Sequence, residues 1–229
     1  MRYEKTGLAF EMTEPFVARV MQKYHFDAAE KENMRQVAAR VQKAAAGQAG
    51  FWQTPEENGS ARWVNVAMTL GDGVDRLQET YLEEGRLTEC YMAEALAGEL
   101  LLTLYQEFNR RIREKTGRHV ARYRFYGAEE GLPLEEMEKA PVLQGQDEIS
   151  CNPACCLLPK KSVVFWAELT EEEGRVCEGI CAGCGRKDCP NRAKPREASQ
   201  RYWPDLPFGP LPYGYARILQ GAFGGTDEI

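Results

Sequence analysis

Residues 62–117, "RWVNVAMTLGDGVDRLQETYLEEGRLTECYMAEALAGELLLTLYQEFNRRIREKTG", carry the clearest structural signal in the chain. Their first nine residues set Val64, Val66 and Met68 on one side of an alternating run, the pattern of a strand with a covered face. "GDGVDRL" then turns from strand into helix, with Asp72 near the cap. Two glycines after a strand invite a phosphate-loop reading, but the full dinucleotide and P-loop glycine patterns are both absent. From about Leu87 to Lys115 the spacing predicts one long helix. Leu87, Tyr91, Ala95, Gly98, Leu101, Tyr105, Phe108 and Ile112 recur every three or four positions as an apolar stripe. Arg110, Arg111, Arg113 and Lys115 suit the negative end of its dipole, and Gly117 supplies the stop. Cys90, inside this helix, reads as a small core residue.

On the N-terminal side, Pro15 to Ala46 predicts a helical region broken near His25–Asp27, where Asp27 caps the second half. Residues 47–61, which include "TPEENGS", read as a loop. On the C-terminal side, "RHVARYRFYG" (118–127) alternates Arg122 and Arg124 with Tyr123 and Phe125, a strand with one polar and one aromatic face. "LPLEEMEKAPVL" (132–143) holds a short helix, and "KSVVFWAEL" (161–169) is an apolar strand. Long helices interleaved with scattered strands predict an α+β fold. The expected division is an N-terminal helical region (1–61) packed on an α+β core with a cysteine loop (62–193), then an irregular tail (194–229). Pro195, Pro204, Pro207, Pro210 and Pro212 punctuate that tail.

The 229 residues are 43% hydrophobic, enough to build a core without disulfide staples. Lys and Arg number 29 against 35 Asp and Glu, a net charge of −6. With no long basic block, nucleic acid and anionic membranes are not the expected partners. "MRYEKTGLAFEMTEPF" lacks the apolar core of a signal peptide, and no run is apolar enough to span a membrane, so a cytoplasmic protein is expected. In a reducing compartment the eight cysteines imply free thiols or metal ligands.

Four of them, Cys177, Cys181, Cys184 and Cys189, fall in "CEGICAGCGRKDCPNR" (177–192) at C-x3-C-x2-C-x4-C spacing. Four thiolates complete a tetrahedral zinc site or hold one iron–sulfur cluster. Glycines 179, 183 and 185 let the backbone curl around a bound centre. Structural zinc usually uses two knuckles set well apart, so ligands in a single run favour the cluster over zinc. A second group, Cys151, Cys155 and Cys156, lies in "CNPACC". Side chains of the adjacent Cys155 and Cys156 diverge, so both cannot easily face one metal. Core packing accounts for at least one of the three, leaving an extra ligand or redox thiol open.

Several stretches together, "AMTLGDGVDRLQETYLEEGRLTECYMAEALAGELL", "RYRFYGAEEGLPLEEM", "CCLLPKKSV" and "CGRKDCPNR", resemble the activation domain of vitamin B12-dependent methionine synthase, in its stand-alone bacterial form. The likeness spans roughly residues 62–192 and lies in the order of the segments. It implies a twisted antiparallel sheet flanked by helices. It also implies binding of S-adenosylmethionine, whose methyl group goes to an oxidised cobalamin on a partner, with reduction by an electron donor. The expected partner is therefore a corrinoid protein or cobalamin-dependent methionine synthase, since the chain has no D-x-H-x-x-G cobalamin signature of its own. The family's adenosylmethionine loop is an arginine followed shortly by Pro-Gly-Tyr. Arg124 matches the arginine, and Pro133 and Leu134 the end of the segment, whereas the Pro-Gly-Tyr positions carry Gly127, Ala128 and Glu129. The competing expectation is a non-catalytic interaction module with structural zinc in the cysteine loop. Nucleophilic hydrolysis has little support, with only His25 and His119 available and neither in a catalytic motif.

Overall fold

The computed structural model describes residues 3–54, 62–128 and 131–172. In chain order the elements are β1 (Thr6–Gly7), α1 (Glu14–Lys23), a 3-10 turn (Ala28–Glu30) and α2 (Lys31–Ala45). Next come β2 (Gly50–Gln53), β3 (Trp63–Thr69), α3 (Gly73–Glu83), α4 (Leu87–Thr116) and β4 (His119–Phe125). A second 3-10 turn (Leu134–Lys139) leads into α5 (Pro141–Gln144), β5 (Ser150–Cys151), β6 (Leu157–Leu158) and β7 (Ser162–Thr170). The fold is α+β. Five strands form an antiparallel sheet in the order β1-β2-β3-β7-β4, and β5 pairs with β6 in a separate hairpin.

Local chemistry explains two of the helix ends. Asp27 accepts a hydrogen bond from the Ala29 amide at 2.8 Å, as its position before the second helical stretch predicts. Gly117 adopts φ 71° and closes α4 with its N–H on the Arg113 carbonyl at 2.8 Å. Asp72 stands at the N-cap of α3 but makes no side-chain cap; it pairs with Arg76, and the Gly73 amide donates instead to the Gln48 side chain at 3.2 Å. Residues 50–53, inside the stretch expected to be a loop, form β2. "GFWQ" is too short for alternation to register, and Phe51 and Trp52 are both buried because the strand is covered on both faces.

The helices α1 to α4 cover one face of the sheet. Val64, Val66, Met68, Tyr123 and Phe165 point into this core, against Val37, Val41, Leu96, Leu104 and Phe108. The aromatic face predicted for β4 is here: Tyr123 meets Tyr105 edge-on at 5.3 Å between ring centroids, and Phe165 meets Phe108 at 5.7 Å. Such pairs contribute about 0.5–1.5 kcal/mol each beyond their buried area. A register shift in the pairing of β4 with β7 falls between Val120 and Arg122. Strict alternation would put Val120 with the arginines; the bulge at Ala121 lets Val120 and Tyr123 both be buried.

The expected stripe of α4 is buried at Ala95, Tyr105, Phe108 and Ile112, but its N-terminal part departs from the core. Leu87 is 67% and Tyr91 46% exposed, whereas Met92, Leu96, Leu100 and Leu104 are inside. Residues 91–105 carry apolar side chains on more than one face, with Glu94 and Glu99 the only charges, so spacing alone does not select the buried one, and the elements packed against the helix decide it. Cys90 is half-buried against the main core, as expected. Glu99 is a buried charge on α4, met by Lys23 at 2.6 Å and by the Tyr24 hydroxyl at 3.1 Å. That pairing offsets its desolvation and fastens α1 to α4.

Candidate functional site

Among the described residues, the other face of the sheet is covered over only part of its area. Trp52, Ala67 and Val164 pack there against Met137, Ala140, Val142, Leu143 and Ile149, from the segment around the second 3-10 turn and α5. Asn65 fastens this cover. It is fully buried; its side-chain amide donates to the Phe165 carbonyl at 3.1 Å, and its carbonyl accepts the Val142 N–H at 3.1 Å. Where the cover ends, a groove of about 440 Å³ opens over β3, β7 and β4.

Strand pairing assembles this groove from distant stretches. Arg124 on β4 lies opposite Trp166 on β7, which in turn lies opposite Asn65 on β3. Trp63 enters from the same face of β3, and the Arg124 guanidinium sits 5.6 Å from its ring centroid. Tyr126 follows β4, and its hydroxyl accepts the indole N–H of Trp166 at 3.0 Å. Leu132, Glu136, Lys139 and Pro141, from the covering segment, complete the wall. Burial pushes the Tyr126 phenol up, against the opposing effect of donors on Trp166 and Asn65, and nearby Glu136 adds to the rise. The phenol therefore keeps its proton at neutral pH.

Chemically the groove offers aromatic faces that can stack on a planar base or attract a cation, beside cationic groups suited to a carboxylate. Of the residues expected to carry function, Arg124 lies in it. Trp63, Trp166, Tyr126 and Lys139 were not singled out from the sequence. "KSVVFWAEL" reads as uniformly apolar because both faces of β7 carry large side chains, which hides that Trp166 and Phe165 point opposite ways.

The loop after Arg124 is a turn of its own kind. Gly127 has φ 72°, and its N–H donates to the Leu132 carbonyl at 2.7 Å. Proline, the family residue at this position, is excluded twice, since its ring fixes φ near −65° and it has no N–H. Glu129 lies outside the described residues, as do Cys177, Cys181, Cys184 and Cys189. Among the described residues no group of three His, Cys, Asp or Glu side chains could hold a metal ion.

Cys151, Cys155 and Cys156 sit on the hairpin of β5 and β6. Cys151 and Cys155 pack against the smaller core, whereas Cys156 is exposed, so the adjacent pair does diverge. Burial raises the Cys151 thiol, with neighbouring Cys155, Glu138 and Cys156 adding to the rise. Burial, and then Glu94, similarly raises Cys90 against the opposing Lys160, which suits an inert core thiol. No helix among the described residues is long and apolar enough to cross a membrane. Compared with known proteins, the chain matches no family model and no curated protein.

Proposed function

We propose that this chain is a cytoplasmic accessory protein of the methionine synthase activation type. In this reading it binds S-adenosylmethionine in the Arg124 groove and assists the reductive reactivation or methylation of a corrinoid carried by a partner protein. One observation carries the reading: Arg124, the residue the family resemblance points to, lies in a groove with Trp63, Tyr126 and Trp166. These residues fit the ligand. The guanidinium would suit its carboxylate, an indole ring could stack on its adenine, and aromatic rings with Glu136 would suit its sulfonium charge. Bound there, the cofactor supplies a methyl group. The chain's own residues would hold and orient it.

Cys177, Cys181, Cys184 and Cys189 are assigned, from their spacing, as ligands of an iron–sulfur cluster, or of zinc. Electron transfer is the chemistry that an iron–sulfur centre supplies. Replacing any one of the four by Ser is expected to lower bound metal sharply, while Cys90→Ser leaves it unchanged. Full metal content in all four single variants overturns the assignment.

The test of the function uses protein purified without oxygen. Its metal content and ultraviolet–visible spectrum are measured. It is then mixed with oxidised corrinoid proteins, with and without S-adenosylmethionine and an electron donor, and the cobalamin absorbance is followed. The expected result is bound iron and conversion of the cobalamin spectrum. Zinc, no adenosylmethionine binding and an unchanged cobalamin spectrum assign the chain instead to an interaction module with a structural zinc site.

A further inference from the structure

We infer that Tyr126 is the hydroxyl-bearing binding residue of the groove, donating its proton to an acceptor on a ligand that combines a planar ring with a carboxylate. The inference rests on the ligand-binding reading of the groove and adds to it a residue that the resemblance does not supply. The backbone at Gly127 excludes a proline there, and position 129 is a glutamate, so no tyrosine is inherited from a Pro-Gly-Tyr loop.

Hydrogen-bond arithmetic points to Tyr126 instead. A phenol carries one proton and accepts through its oxygen. The indole N–H of Trp166, a donor only, already occupies that oxygen at 3.0 Å. No described residue accepts the phenol's own proton, which leaves one directed donor beside the Trp63 and Trp166 rings. The same groove brings Arg124 and Lys139 to the anionic end of a ligand. A site with a committed donor rejects ligands without a matching acceptor more strongly than an apolar wall does.

The experiment measures binding of S-adenosylmethionine, S-adenosylhomocysteine and adenosine to the full chain by calorimetry and tryptophan fluorescence. Tyr126→Phe is expected to weaken S-adenosylmethionine and S-adenosylhomocysteine about five-fold, the loss of one neutral hydrogen bond, with the thermal midpoint retained. Trp166→Phe keeps a ring face but removes the indole donor, and is expected to weaken them about two-fold. Wild-type affinity in Tyr126→Phe, with affinity lost in Arg124→Ala, overturns the inference and leaves the proposed function standing. Binding that depends on Tyr126, with no corrinoid protein reduced or methylated, does the reverse. Absence of binding of all three probes by the wild-type protein overturns the inference as well.

Discussion

Phe165 and Trp166 are neighbours in β7, yet they lie on opposite sides of the sheet. Phe165 is wholly buried among Tyr105, Phe108, Tyr123 and Phe125 beneath the helices. Trp166 is half-buried and spends its indole N–H on Tyr126 at the edge of a groove. Both faces use large aromatic side chains from the same strands, so composition does not separate them. Cover does. Helices α1 to α4 close one face, while among the described residues the other is closed only as far as α5 and its 3-10 turn reach, held by Asn65. Aromatic surface beyond that limit lines the groove in which ligand binding is proposed.

The largest effect that tests this contrast is on the closed face. Phe165→Ala is expected to destabilise the protein by about 3–5 kcal/mol, a fall of roughly 10 °C in thermal midpoint. Trp166→Ala one residue away is expected to lose much less stability while losing ligand affinity. Equal thermal losses for the two variants would break the distinction between the faces. Next in size is Arg124→Ala. Removing a charged hydrogen bond, worth about 1.5–3 kcal/mol, is expected to weaken S-adenosylmethionine ten-fold or more in calorimetry, with unfolding little changed.

Gly127→Ala comes third. Its φ of 72° is disfavoured for an L side chain, and a Cβ there would lie 3.1 Å from the Leu134 Cβ. A loss of about 1–2 kcal/mol is expected in denaturant unfolding, and a neutral result would show that this rim of the groove is free to shift.

The smallest effect is a change of slope on the helical side. Asp75, near the start of α3, is buried, and that burial raises its carboxyl despite the Lys160 amide bound at 2.8 Å and the Lys160 and Lys161 charges. A carboxyl whose folded pKa exceeds its unfolded value favours the folded state while it is protonated. Its contribution therefore declines as pH rises from the unfolded value, about 3.9, through the raised folded one, and stays low at neutral pH. Asp75→Asn is expected to flatten the stability curve in that window. An unaltered slope would show that Asp75 titrates as it does in the unfolded chain.

Local sequence determined the elements whose causes are local. The long helix after Leu87 and its stop at Gly117, the cap at Asp27 and the alternation of Arg122 and Arg124 with Tyr123 and Phe125 all follow from residues within a few positions of one another. The four cysteines at 177, 181, 184 and 189 lie outside the described residues, and their role as metal ligands is a proposal that rests on spacing alone. Tertiary structure decided the rest. It set which residues in the first half of α4 are buried, made a strand of Gly50–Gln53, and used a bulge at Ala121 to return Val120 to the core. It also built the groove, because Trp63, Arg124 and Trp166 belong to three strands that are separate in sequence and neighbours only in the order β3-β7-β4. Periodicity records which side of a strand a residue takes; only pairing between distant strands decides what stands beside it.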